Sequence, residues 1–306
     1  LSVLRNRTGC LTVYDIWFWQ SIVSPHMVYL AEELVKLGCK VTYVAEQDID
    51  LDRADQGWPL LKLRGIRFEF ANSEGAMLQL VEASSQDSIH ICQGIRSNES
   101  ISAAQRAMMV RGLRQWVVME TVEDSGWRGF VKRFEYSRLF WLRRSKLQGV
   151  LSTGYRTSGW VAARGMCSDR IYPFAYFLKN KKMLTASYNH HKRSPYRFIF
   201  VGRLISLKRI DLLINALSEL TKYPFEFCIV GSGTEEIALR LLAKSKLDSR
   251  VRWLGTLPLH EVSAVMLQAD CLVLPSSHDG WGAVISEALM VGTPVICSDA
   301  CGAAEV

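Results

Sequence analysis

Two cations and two acids are spaced around glycine turns in the last third of the chain. Arg203 and Lys208 follow Gly202 in VGRLISLKR, and Asp279 and Glu287 flank Gly280 and Gly282 in SSHDGWGAVISEAL. Two cations facing a helix start are a suitable clamp for a diphosphate, because both donate charge-assisted hydrogen bonds where negative charge builds on departure. The run from Ala283 reads as that helix start, where unpaired backbone N–H groups and the helix dipole converge. A phosphate held there leaves the acids on either side to take sugar hydroxyls. Glu287 stands eight residues beyond Asp279, about two turns on helical geometry. Read blandly, the same stretch is an ordinary strand–helix connection, and a lone loop cation is a surface charge. Gly231-Ser232-Gly233 adds a turn through which backbone can approach a planar base. Taken alone, that signal is weak.

The elements that must hold these residues are legible. Phe198–Val201, Phe225–Val230, Val251–Leu254, Cys271–Leu274 and Val295–Ser298 read as strands. Ile210–Leu220, Thr234–Ala243, Glu261–Gln268 and Ala283–Val291 read as the helices between them. Strict alternation predicts a parallel sheet with right-handed crossovers and ligands at the carboxyl ends of its strands. The loops VGRLISLKR, VGSGTEE and SSHDGWG all fall at that edge.

These stretches resemble the signature of the retaining family 4 glycosyltransferases, the glycosyl transferases group 1. Pro275–Gly282 follows a P-S-x-x-E-G-F-G pattern, Glu287–Val295 an E-A-x-x-x-G-x-P-V pattern, and Gly202–Lys208 a G-R-x-x-x-x-K pattern. The resemblance covers residues 198–306 closely and the first half loosely. It implies an α/β architecture of the GT-B type, two Rossmann-like domains with parallel sheets facing a central cleft. Residues 1–172 would bind the acceptor, 173–197 form a basic linker, and 198–306 bind a nucleotide-diphospho-sugar. Glu287 is implied to bind the nucleotide ribose. Asp279 stands where the family usually has Glu and is implied to contact the donor sugar, with its charge kept and its reach shortened by one methylene. Gly202, Gly231, Gly233, Gly280, Gly282 and Ala283 become donor-binding backbone, and Arg203 and Lys208 the clamp on the leaving group. Retention of anomeric configuration, no obligatory metal and no cofactor beyond the donor are implied as well. The family normally continues beyond Gly302, so the chain, which starts at Leu and stops at Val306, reads as a fragment.

The first half offers its own candidates. Leu11–Ile16 reads as a strand followed by an apolar tip, Trp17-Phe18-Trp19, suited to core packing or to a membrane contact. Ser24-Pro25 starts a helix that Gly38 ends, and Val41–Ala45 is the next strand. The first loop, glycine-rich in the resembled family, is QSIVSPH here, so His26 either offers a side chain to the cleft or only decorates a helix start. Asp48, Asp50 and Asp52 alternate after the second strand; such acids can hold Mg²⁺ or Mn²⁺, but a solvated loop explains them and no metal site is assigned. His90, in SIHICQG, is a core or loop histidine. Trp116–Glu120, WVVME, is a buried strand ending in an acid where the family often has a sugar-facing His, with Glu123 and Asp124 just beyond. Glu120 at that edge can stabilise positive charge developing on the sugar or accept the acceptor's proton. A loop of solvated acids is the alternative.

Arg128–Lys146 carries seven basic residues and one acid, interleaved with Phe130, Phe134, Leu139, Phe140, Trp141 and Leu142. A basic amphipathic run of this kind reads as an anionic-membrane contact, with a solvated face as the alternative. Nucleic acid is disfavoured because no recognised nucleic-acid module accompanies the charge.

Composition sets the outer bounds. A chain of 306 residues, 49% of them hydrophobic, is long enough for two domains with real cores. The net charge of +7 is unevenly placed, with nine Lys/Arg against twelve Asp/Glu from Phe198 onward and six against none in residues 173–197. Within that basic linker, His190 and His191 lack partners at ligand spacing. Eight scattered cysteines without a C-x-x-C read as free thiols in a reducing cytoplasm, not as disulfides or a zinc site. No run of eighteen apolar residues and no signal peptide is visible, so the expected location is cytoplasmic, peripheral to the inner face of the membrane. The expected activity is transfer of a sugar from a nucleotide-diphospho-sugar to a lipid-linked or polysaccharide acceptor in cell-surface glycan synthesis. A nucleotide-sugar epimerase or hydrolase on the same fold, and a non-catalytic nucleotide-sugar-binding subunit, are the alternatives.

Overall fold

The computed structural model describes residues 13–47, 63–178 and 194–306. Asp48, Asp50, Asp52, His190, His191 and the linker from Lys179 to Arg193 lie outside the described residues. The chain divides into two compact units, one ending near residue 179 and the other running to Val306.

The first unit is a seven-stranded parallel sheet. In chain order it comprises β1 (Asp15–Ile22), α1 (Pro25–Lys36), β2 (Lys40–Gln47), β3 (Arg67–Phe70), α2 (Glu74–Ala83), β4 (Ile89–Gln93), α3 (Glu99–Arg111), β5 (Arg114–Glu120), α4 (Gly126–Arg143), β6 (Leu147–Thr153), α5 (Tyr155–Ala162) and β7 (Ile171–Phe174). The strands lie in the order β3-β2-β1-β4-β5-β6-β7. The order in which strands are added reverses between β1 and β4, so helices before and after that point cover opposite faces. Alternate residues of β1 record this. Ile16 and Phe18 pack with Met27, Val28 and Ala31 of α1. Trp17 and Trp19 pack with Met77 of α2, Ile101 and Met108 of α3, and Phe140 of α4.

β1 therefore begins later than its sequence indicates, at Asp15 and not Leu11, and Trp17-Phe18-Trp19 is its buried centre. A strand covered on both faces has no polar alternation to mark its register, so its end is hard to place from sequence; of the two roles expected for the three aromatics, core packing is the one observed. Helix α1 does start at Pro25 after Ser24, with Gly38 in the left-handed region just beyond its end. Pro supplies a fixed φ where no N–H is needed, and Gly tolerates the turn.

The second unit is a five-stranded parallel sheet in the order β10-β9-β8-β11-β12. It comprises β8 (Tyr196–Val201), α6 (Ile210–Ser218), β9 (Phe225–Val230), α7 (Glu236–Leu247), β10 (Val251–Gly255), α8 (Leu259–Leu267), β11 (Cys271–Leu274), α9 (Ala283–Met290) and β12 (Val295–Cys297). The expected alternation is present throughout. Ile199, Phe200, Phe227, Ile229, Leu272 and Leu274 are fully buried on the strands, and α6 contributes Ile214 and Leu217. Among the described residues no helix is long and apolar enough to cross a membrane, and the seven described cysteines are free thiols.

His90 sits in the core beside the two tryptophans. Its Nδ1 accepts a hydrogen bond from the Trp19 indole at 3.1 Å, so the ring proton is on Nε2, which is buried with no acceptor among the described residues. Protonating Nδ1 would set two donors against each other. Burial, then Arg111 and Arg114, push the pKa down to about 4, with Asp15 opposing. A histidine with a depressed folded pKa stabilises the fold above the unfolded value near 6.5, and that contribution fades as pH falls toward 4. Urea unfolding between pH 7 and pH 4 should show a loss on the order of 3 kcal/mol from this group. His90→Leu should flatten that slope while lowering stability at pH 7, because the Trp19 N–H loses its acceptor.

Candidate functional site

At the carboxyl edge of the second sheet, three loops are tied into one layer by their own backbones. Gly202 donates to Val230 O at 3.0 Å, Leu204 to Ser232 O at 2.8 Å, and Glu235 back to Leu204 O at 2.9 Å. The loops after β8 and β9 are thus zipped side by side. Gly231 makes this possible: it has φ of +128°, and a Cβ there would lie 2.0 Å from Gly202 O. A Cβ on Gly233 would lie 2.4 Å from Leu204 O. The pair of glycines thus has a reason internal to the fold, the close approach of two chains.

Lys208 closes a short 3-10 turn (Ser206–Lys208) ahead of α6, and Asp279 lies in the loop after β11. The two side chains form a short, mostly buried ion pair. Ser277 reinforces that junction, its backbone N–H donating to Leu207 O at 2.9 Å. Sequence reading gave Lys208 and Asp279 separate duties; the structure makes them partners. Arg203 stays exposed on the first loop, and among the described residues its guanidinium has no ion pair.

The turn into α9 is held from below by the segment after β12. Asp279 N–H donates to Ala300 O at 3.1 Å, Gly302 N–H to Asp279 O at 3.1 Å, and Ala303 N–H to Trp281 O at 2.7 Å. A Cβ on Gly302 would lie 2.1 Å from Gly280 O. Gly282 takes the left-handed conformation (φ 81°, ψ 56°) as the residue before the helix, and no side chain caps the first turn that starts at Ala283. Positive potential from α9 is therefore presented at this edge by backbone alone. Glu287 is the fifth residue of α9, one turn inside it. The two acids do not lie along one helix as their spacing indicated, because α9 starts only at Ala283, after the Gly282 turn.

The first unit assembles a second cluster at its own carboxyl edge. His26, the second residue of α1, is buried with its ring stacked on Tyr176 at 5.0 Å and 7°. Its Nδ1 lies 3.4 Å from Phe177 O. The Tyr176 hydroxyl donates a short hydrogen bond to the carboxylate of Glu120, the last residue of β5. His26 and Glu120 thus share one tyrosine. Nothing in the stretch Arg170–Phe177, RIYPFAYF, singles that tyrosine out except a polar-tipped aromatic just past a strand end.

The neighbouring acids are taken up by structure. Asp124 accepts from the Trp160 indole at 2.9 Å and from Arg164 at 3.2 Å, and Arg133 lies 3.4 Å from it. Glu123 accepts from the Ser125 N–H at 3.0 Å, and bonds to Ser125 hold its pKa below the usual carboxylate range. These contacts fix the entry to α4 and account for both acids without a ligand. They are paired carboxylates in a loop that stays partly exposed.

The glycosyl transferases group 1 family matches residues 186–306. A 2-deoxystreptamine glucosyltransferase of Streptomyces kanamyceticus is 35% identical over 99 residues, 31% of this chain and 26% of that protein. A putative teichuronic acid biosynthesis glycosyltransferase, TuaC, of Bacillus subtilis is 37% identical over 105 residues, 34% of this chain and 25% of that protein. The chain therefore spans about a quarter of the length of these curated relatives. Among solved structures, Anabaena Alr3699/HepE in complex with UDP superposes with a TM-score of 0.72 at 16% identity, covering 95% of this chain and 82% of that one. At that identity the likeness establishes the fold. The chain is a GT-B-fold protein related to the family 4 glycosyltransferases, with the group 1 match lying over its second unit.

Proposed function

We propose that this protein is a retaining glycosyltransferase that moves a sugar from a nucleotide-diphospho-sugar to a glycan or lipid-linked acceptor in cell-surface polysaccharide synthesis. The observation that carries this reading is a coincidence of place. The family match falls on the unit whose carboxyl edge gathers Arg203, the Lys208–Asp279 pair and the uncapped start of α9. In this reading the diphosphate lies against the first turn of α9 and the backbone of Gly202, Gly231, Gly233, Gly280, Gly282 and Ala283. Glu287, one turn into the helix, takes the ribose, and Asp279 takes the donor sugar. As the C–O bond to the leaving group breaks, charge builds on the β-phosphate, where Arg203, Lys208 and the helix dipole stabilise it. Asp279 holds Lys208 in place for that task. Glu120, oriented by Tyr176, faces positive charge on the sugar or takes the acceptor proton, and His26 lines the same acceptor side.

The two curated relatives named above share a matched segment of about 100 residues, yet their names indicate different products. This supports donor handling as the shared task and leaves the acceptor to the first unit. The reading also places Arg128–Lys146 against an anionic membrane surface at the cytoplasmic face.

The deciding experiment measures nucleoside diphosphate release across a panel of nucleotide sugars, with and without glycan and lipid-linked acceptors. Acceptor-dependent release with the anomeric configuration retained is expected. Equal release without acceptor would reassign the protein to hydrolysis, and tight donor binding without release would make it a binding subunit.

Side-chain changes separate the roles. Arg203→Ala should lower kcat by about a hundredfold or more with an unchanged melting temperature, since the residue is exposed. Wild-type turnover in that variant would remove Arg203 from the mechanism. Lys208→Met should lose comparable activity and also about 1–3 kcal/mol of stability, because it strands the Asp279 carboxylate. Adding Asp279→Asn should restore much of that stability and none of the activity, as read by denaturant melts beside turnover. Glu120→Gln should cut kcat about a hundredfold with donor affinity unchanged, whereas a shift confined to donor affinity would count against it.

A further inference from the structure

Helix α4 carries two faces that are both apolar. The inner face packs on the core through Gly129, Tyr136, Leu139 and Phe140. The outer face carries Trp127, Phe130, Val131, Phe134, Trp141 and Leu142, each between 52% and 74% exposed. At 100° per residue these six fall within about 120° of arc and run about 22 Å along the helix. A monomer gains nothing from a stripe of that size left in water.

The structure also redistributes the cations of this segment. Arg143 turns inward, donating to Ile95 O at 2.9 Å and to Gln105 Oε1 at 3.1 Å. Lys132 and Arg133 donate to Glu123 O and Asp124 O, each at 2.6 Å, and Arg144 to Gly165 O at 3.2 Å. Arg128, Arg138 and Lys146 remain exposed, with Arg138 inside the apolar arc. The segment's one acid, Glu135, sits at the margin in an ion pair with Arg96 at 2.9 Å. The outer face is therefore an apolar stripe with a few cations, not a polybasic patch.

We propose that α4 lies in the plane of an anionic lipid surface with this stripe inserted among the acyl chains, so that apolar burial, not charge, carries most of the binding. This deepens the membrane-surface reading above and is independent of the transferase chemistry. Trp127 and Trp141, near the two ends, match the preference of indoles for the interface, and cations at the margins meet anionic headgroups. A second copy of the chain fits less well, because pairing the stripe with itself would bring like charges together at Arg128, Arg138 and Lys146.

The test uses the full chain with vesicles of phosphatidylcholine, with and without phosphatidylglycerol, at low and high salt. Binding to anionic vesicles that largely survives high salt is expected, together with tryptophan quenching by brominated acyl chains. The double variant Phe130→Ser, Phe134→Ser should lower partitioning by about tenfold or more, and Arg138→Gln by only about fivefold. Both sites are exposed, so an unchanged circular dichroism spectrum and melting temperature verify the fold. Salt-abolished binding that is indifferent to the two phenylalanines would overturn insertion while leaving the membrane reading in place. Absence of binding to any vesicle would overturn both. Concentration-dependent dimerisation lost in the phenylalanine variant, without vesicle binding, would assign the stripe to a second copy and overturn the proposal.

Discussion

Parallel pairing of every strand is the constraint from which the rest follows. In both units all described strand pairs run parallel. Each strand must therefore be reached by a crossover, and crossovers bury both faces of the sheet. That explains why β1 contains Trp17, Phe18 and Trp19 in succession, with each neighbour sent to the opposite side. It also places every strand's carboxyl end along one edge, so loops distant in sequence become neighbours. Arg203 and Asp279 share an edge for this reason, as do His26 and Glu120.

At that edge in the second unit, the chain builds a layer from backbone before it adds side chains. The loop after β9 lies so close to the loop after β8 that Gly231 has no room for a Cβ. Gly302 is under the same restriction against Gly280. A surface made this way is stiff, and the N–H groups it exposes at the start of α9 keep their direction without a capping side chain. Stiffness matters for the proposed chemistry, since donors aimed in advance cost no reorganisation when charge develops. The Lys208–Asp279 pair extends the same logic to side chains: each fixes the other at a site where either alone would be poorly solvated.

The sequence made the second unit legible because its signals are local. Short apolar runs, glycine turns and helical spacing alternate without interruption, and only the element ends moved. Leu259–Leu267, for example, begins two residues before the expected Glu261. What escaped were relations between distant residues. Nothing in the spacing of Lys208 and Asp279 announces that they pair across 71 positions, and nothing in RIYPFAYF announces that Tyr176 reaches Glu120. Asp124 reads as an available carboxylate because two of its partners, Trp160 and Arg164, stand 36 and 40 positions further along the chain. The β1 boundary was missed for a different reason: a strand buried on both faces carries no periodic mark of its own.

The segment Arg128–Lys146 shows how a correct local reading can still misstate the physics. Its composition is basic and amphipathic, and both statements hold in the folded chain. Yet a helix has only one circumference, and packing decides which residues occupy which arc. Gly129 must face inward, because a Cβ there would lie 1.7 Å from Asp124 O. Phe140 follows it into the core, eleven residues and about three turns later. With those two fixed, the geometry leaves Arg143 no choice but to turn inward and sends Phe130, Phe134 and Trp141 out. The charge count of the segment belongs to the sequence; the apolar stripe belongs to the fold. Where the two disagree about what the surface does, the fold has the stronger claim, because it alone determines which groups meet water.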